Sequence, residues 1–313
     1  MLKQVIDLHE ILDTPSASGE RIKEYLISCG AAPESIRITR VTSDKGASDF
    51  MHITVKGHDG KQAGGDAPTL GVIGRLGGIG ARPEITGYVS DGDGALAALA
   101  AAAKLIGMAA NGDQLEGDVI ITTHICPNAP TREHHPVPFM DSPISFEDTW
   151  EHEIDTAMDA IVSIDTTKGN RVINLRGVSM SPTVKQGYIL RTSEDLMNVM
   201  SRVTGRLPHI FAITQQDITP YGNGLYHLNS ILQPAVATSA PVVGVALATE
   251  TAVAGCATGA SHEVDVEQAA RFAVEVAKDF TAGTCQFHDS EEFARIVEMY
   301  GEHTRFQHGG ARE

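Results

Sequence analysis

From residue 69 onward, short apolar runs of strand length alternate with longer helical patterns, and this alternation constrains the fold more than any other feature of the chain. The runs at 69–73, 119–123, 160–164 and 242–248 are apolar and lie between helical stretches, the pattern of a mainly parallel sheet covered on both faces. The Ala-rich stretch through residue 106, residues 193–203 and residues 266–280 carry helical spacing. A further strand is expected at 210–214. Ahead of this block, residues 2–12 read as a helix, and Ser18 caps a second amphipathic helix over 21–27. Alternating residues at 36–41 and 50–55 suggest a hairpin at the sheet edge, followed by a Gly-rich connection at 57–68. The expected architecture is one α/β domain over 1–313, a three-layer sandwich whose mixed, mostly parallel central sheet carries helices on both faces.

Hydrophobic residues make up 42% and charged residues 20% of the 313, the balance of a globular chain with one large core. The formal charge of −16 argues against nucleic acid as a partner, because no basic face stands out to neutralise phosphates. Four scattered cysteines, Cys29, Cys126, Cys256 and Cys285, form no CxxC pair and point to a reducing compartment. The most apolar stretch, 94–110, is mostly alanine and interrupted by Lys104, a weak membrane span. With no basic leader after Met1, the expectation is a cytoplasmic protein with no membrane partner.

Ligands of open α/β sheets gather at the carboxyl ends of the strands. Three segments put chemistry there: Asp91 between a strand and a helix, Asp165 closing the strand 160–164, and His262 just before the last helix. Two carboxylates and an imidazole suit a divalent ion such as zinc. Asp91 reads equally as a helix cap, Asp165 as an Asx-turn and His262 as a surface residue. The stretch 124–143 is proline-rich and holds His124, Cys126, His134, His135 and Asp141, either a rebuilt site or a rigid solvated loop. Asp217, Tyr221, Asn223 and His227 crowd a polar, turn-rich segment, and Cys256 sits in a small-residue loop; both could line a substrate pocket or be simple turns.

Thr14-Pro15-Ser16-Ala17-Ser18-Gly19-Glu20 resembles the T-P-S-x-S-G-x-E element of di-zinc aminopeptidases. Asp91-Gly92-Asp93-Gly94-Ala95-Leu96-Ala97-Ala98-Leu99 resembles their D-D-x-x-G-x-A-A-L, and Ser261-His262 their last metal-binding histidine. The chain also looks like a family of bacterial and archaeal proteins defined as a domain of unknown function, distantly related to those enzymes and their phosphorylase/hydrolase-like fold. The resemblance implies Asp91 as bridging ligand, Asp165 and His262 as terminal ligands, and self-association into oligomers. It also marks departures. Arg75 stands where the first histidine ligand belongs, and a guanidinium cannot bind a metal. His124-Ile125-Cys126 replaces the Glu-Glu pair that supplies the general base.

Three functions follow as expectations. The first is a metal-dependent hydrolase cleaving an amide bond of a small peptide-like or N-acyl substrate, with Arg75 binding a substrate carboxylate. The second is a metal-independent enzyme using Cys126 or Cys256 with His124 or His262. The third is a ligand-binding protein that has kept the scaffold and lost the chemistry.

Overall fold

The computed structural model describes residues 1–75, 87–133, 135, 139–213 and 228–307. Its helices are α1 (Leu2–Leu12), α2 (Gly19–Ser28), α3 (Asp93–Ala110), α4 (Phe146–Glu153), α5 (Glu194–Thr204), α6 (Glu263–Thr281) and α7 (Ser290–Tyr300). The strands are β1 (Ile36–Ser43), β2 (Gly46–Val55), β3 (Leu70–Gly74), β4 (Val119–Ile125), β5 (Thr131–Arg132), β6 (Phe139–Met140), β7 (Ala160–Thr167), β8 (Gly177–Met180), β9 (Val184–Lys185), β10 (Tyr188–Ile189) and β11 (Val242–Ala248). Among the described residues, nine strands form one mixed sheet in the order β1-β2-β4-β3-β7-β11-β9-β10, with β8 also paired to β11. The protein is thus a mixed α/β structure around a central mixed sheet.

The middle of the sheet is parallel: β3 pairs with β4 and β7, and β7 with β11. The chain leaves β3 for β4 on one side and later returns to β7 on the other, so the carboxyl end of β3 is a topological switch point, where open sheets bind ligands. The β1–β2 hairpin closes one edge, as its alternating sequence predicts.

Alternate residues of the central strands feed two cores. On one face Val72, Ile121, Val162 and Val245 pack with α1, α3 and α6. On the other, Ile73, Ile120 and Ile161 pack with Leu232 and Ala235 of the 3-10 segment Ser230–Val236. The helix α3 is apolar on nearly every side because the sheet, α1 and α6 all press on it. By length and composition the stretch Ser90–Ala110 could cross a membrane, yet 78% of its most apolar window is buried inside the protein, where a core helix belongs. Its alanines keep it close to the sheet. The helix α2 starts at Ser18, whose hydroxyl accepts from the Arg21 amide as a cap.

Four expectations need correction. The residues described ahead of Asp91 form no strand; a 3-10 turn, Ser90–Gly92, leads directly into α3. No strand forms over residues 210–213, where Ile210 makes only an isolated bridge to Met180; residue 214 lies outside the described residues. His124 is the sixth residue of β4 and does not belong to the proline-rich loop. Asp165 is inside β7, paired with Ala246, and does not end the strand.

Candidate active site

The carboxyl end of β3 delivers Arg75, whose amide donates to the Ile164 carbonyl at 2.8 Å and extends the parallel pairing by one residue. Strand alternation turns its side chain to the face carrying α4 and the Ser230–Val236 segment. There Nη1 donates to Oε2 of Glu153 at 2.7 Å and Nη2 donates to Oε1 of Gln233. The second carboxylate oxygen of Glu153 accepts from Nδ1 of His124 at 2.8 Å. Arg75, Glu153 and Gln233 are 3%, 1% and 1% exposed, and His124 is 6% exposed with its ring 5.1 Å from that of Phe50. A buried chain of charge-assisted hydrogen bonds therefore links four elements: the end of β3, β4, α4 and the Ser230–Val236 segment.

Glu153 is the last residue of α4, a helix started by a capping box between Ser145 and Asp148. Burial alone would raise its carboxyl pKa. The Arg75 guanidinium and the His124 hydrogen bond outweigh burial, so the net shift is downward and Glu153 is a carboxylate at neutral pH. Because that carboxylate accepts from Nδ1, Nε2 is the ring nitrogen left to act on a substrate or water.

Asp91 sits in the turn before α3, its amide donating to the Gly255 carbonyl at 3.0 Å. The Ser90 hydroxyl donates to the same carbonyl, and the Thr166 hydroxyl donates to the Ser90 carbonyl. Gly255 lies so close to Asp91 that a Cβ there would stand 2.2 Å from a carboxylate oxygen. Two residues further on, Asp93 accepts from the Tyr88 hydroxyl at 2.9 Å, from Lys168 at 3.0 Å and from the Ser261 hydroxyl. These bonds fasten the loop ahead of α6 to the start of α3. His262 is the half-buried N-cap residue of α6, but its side chain makes no capping bond.

The elements bearing Asp91, Asp165 and His262 thus meet at one sheet edge. Their side chains do not meet as a ligand set: among the described residues, no three His, Cys, Asp or Glu groups come together to hold an ion. Thr166 points to the α3 side, where it reaches Ser90, so Asp165 points to the opposite face, as does Ser163, whose hydroxyl donates to the Ile231 carbonyl. Asp165 shares its face with Arg75 and Gln233, and Asp91 is held in the turn that leads into α3.

Cys126 is 2% exposed in a small apolar cluster with Val89, Ala129 and Met140, against which Cys256 packs. Burial pushes the Cys126 thiol up. Burial and then the Asp91 charge push Cys256 up as well. Both are protonated thiols at neutral pH, which disfavours either as a nucleophile. Iodoacetamide on the native protein is expected to label Cys256 and Cys29, both half-buried, slowly and faster as pH rises. Cys126 and Cys285 should label only after unfolding; peptide mass spectrometry separates the two groups, and equal labelling of all four thiols would contradict this.

Arg75, expected to clamp a substrate carboxylate, is already paired with the protein's own Glu153. His135 is exposed and Asp141 half-buried in the loop after β4; His134 lies outside the described residues. Asp217, Tyr221, Asn223 and His227 also lie outside them. A cavity of about 440 Å³ lined by Arg191, Ser193, Asp195, Gln286, His288 and Phe293 contains none of the groups above. Sequence reasoning missed Glu153 and Gln233. The Ser145–Asp148 cap marks the helix that carries Glu153, but nothing local marks its last residue or Gln233 as partners of Arg75.

Fold and site together define a mixed α/β protein with a buried polar network at the switch point of its parallel strands. The chain belongs to the family described as protein of unknown function (DUF1177), whose model matches residues 39–310. No curated protein matches it. Among solved structures it is similar to the bottromycin maturation enzyme BotP, with 14% identity and a TM-score of 0.48, over 84% of this chain and 65% of that one. The chain therefore spans about two thirds of that enzyme's length.

Proposed function

We propose that this protein is a hydrolase with an aminopeptidase-like scaffold that cleaves an amide bond of a small peptide-like or N-acyl substrate at the carboxyl end of β3. The observation that carries the reading is the 2.8 Å bond from His124 to Glu153, itself anchored by Arg75 at 2.7 Å. A base oriented by a second group and that group by a third is the arrangement general-base catalysis needs. In this reading His124 Nε2 takes a proton from water as the water oxygen attacks the amide carbonyl. The same proton then passes to the departing amine, leaving acid and amine as products. Glu153 stabilises the imidazolium formed between the two transfers, and Arg75 keeps Glu153 ionised.

A di-zinc or other divalent centre is the form this chemistry takes in the enzymes the sequence resembles, and the donor set described here does not fit one. Among the described residues Asp91, Asp165 and His262 do not come together as a set of three ligands, and the fixed charge of Arg75 stands where a ligand is needed.

The test is a panel of N-acyl amino acids and dipeptides, scored by release of free amine. His124→Gln is expected to lower kcat about 100-fold or more, with the melting temperature changed by a few degrees at most. Unchanged turnover in His124→Gln, or none on any member of the panel, would overturn the reading. Elemental analysis is expected to find less than one equivalent of zinc or manganese per chain; a full equivalent lost in Asp91→Asn would restore the metal-dependent form.

A further inference from the structure

The network around Arg75 satisfies its acceptors and leaves two donors over. Both carboxylate oxygens of Glu153 are engaged, one by Arg75 and one by His124, and the Gln233 side-chain oxygen accepts from Arg75. Arg75 Nε and Gln233 Nε2 are buried and have no hydrogen-bond partner. A buried N–H left unpaired costs about 1–3 kcal/mol, so two on adjoining side chains call for an occupant. Bond lengths and the hydrogen bond joining the two side chains hold these nitrogens within about 7 Å of each other, and one oxygen bonded to both needs them within about 6 Å.

The occupant must accept. A buried water would accept equally well, and a site that water fills would not respond to acetamide. The guanidinium charge is matched by Glu153, and Asp165 projects on the same face in the neighbouring strand, so the cluster as a whole does not attract an anion. A neutral carbonyl oxygen meets both conditions.

We propose that Arg75 Nε and Gln233 Nε2 form a two-donor site for the carbonyl oxygen of an amide or ester. The assignment deepens the hydrolase reading and rests on it for the bond that would be cleaved. Donors aimed at a carbonyl gain strength as negative charge develops on its oxygen, and Arg75 supplies a fixed charge at that point. The site lies at the switch point of the sheet, next to the His124–Glu153 pair. Its burial limits the part of the substrate that enters to a small group.

The experiment is proton–nitrogen correlation NMR of the full-length protein, following the Arg75 Nε–H signal, assigned by its loss in Arg75→Lys, and the Gln233 side-chain amide. Acetamide and sodium acetate are titrated separately, with sodium chloride as the ionic-strength control. Acetamide is expected to shift both signals along one saturable curve. Gln233→Glu keeps the acceptor for Arg75 and replaces the donor by an oxygen, so it should weaken acetamide about 10-fold or more, the loss expected of one hydrogen bond. Signals unmoved by acetamide would overturn the proposal, and so would a larger response to acetate. Should Gln233→Glu fail to fold, the wild-type titrations decide alone. Acetamide binding without turnover on the substrate panel would sink the hydrolase reading and leave this site standing; turnover without acetamide binding would do the reverse.

Discussion

Gly94→Ala is expected to cost about 3 kcal/mol of stability, close to the upper end for overpacking a core. A Cβ at Gly94 would lie 2.5 Å from the Ile164 carbonyl oxygen and 2.8 Å from that of Arg75. Both are backbone atoms of paired strands and cannot step aside, so the first turn of α3 would have to lift off the sheet. Gly74, across the same contact, is equally tight: its Cβ would stand 2.7 Å from the Gly94 carbonyl oxygen. Gly107, further along the same helix, has open space where its Cβ would be. Gly107→Ala should therefore stabilise by about 0.5–1 kcal/mol through helix propensity. Urea unfolding of the two variants should move the midpoint in opposite directions with unchanged slope. A neutral Gly94→Ala would mean that the helix does not rest on β3 and β7 at this point.

Arg75→Met is expected to cost about 3–5 kcal/mol, because it leaves Glu153 buried without its cation. Adding Glu153→Leu should recover much of that loss, since removing both charges also removes their desolvation. The pair predicts a pH dependence of definite sign. The Glu153 carboxyl is held below its ordinary value of 4.5 in the folded protein, so its contribution to stability is fully present above that value. The contribution is lost as pH falls through the lower folded value. Chemical denaturation of wild type between pH 7 and pH 3 should show this acid loss, and the double variant should show less of it. Identical acid profiles would place the acid sensitivity in other carboxylates.

Much of the scaffold is legible in the residues themselves. Helices α1, α2, α5 and α6 and strands β3, β4, β7 and β11 lie where periodicity puts them, because apolar spacing and a cap such as Ser18 are local signals. The hairpin of β1 and β2 follows from simple alternation. The errors have a common source. His124 looks like a loop residue because Pro127 and Pro130 follow it, but pairing with Phe50 of β2 carries β4 through it. Residues 210–213 have strand composition, yet the place beside β11 is taken by β8 and β9, which leaves Ile210 a single bridge.

The site divides along the same line. Composition and order of elements determine that Arg75, Asp91, His124, Asp165 and His262 come to the carboxyl edge of the sheet, since strand–helix succession fixes which end each residue occupies. Only the tertiary structure decides that Arg75 meets Glu153, 78 residues away, and Gln233, 158 away, and that Asp165 shares their face of the sheet. Strand register assigns each side chain to a face, and a one-residue change reverses that assignment. Electrostatic partners depend on separation in space and on burial, and neither is written in the spacing of residues along the chain.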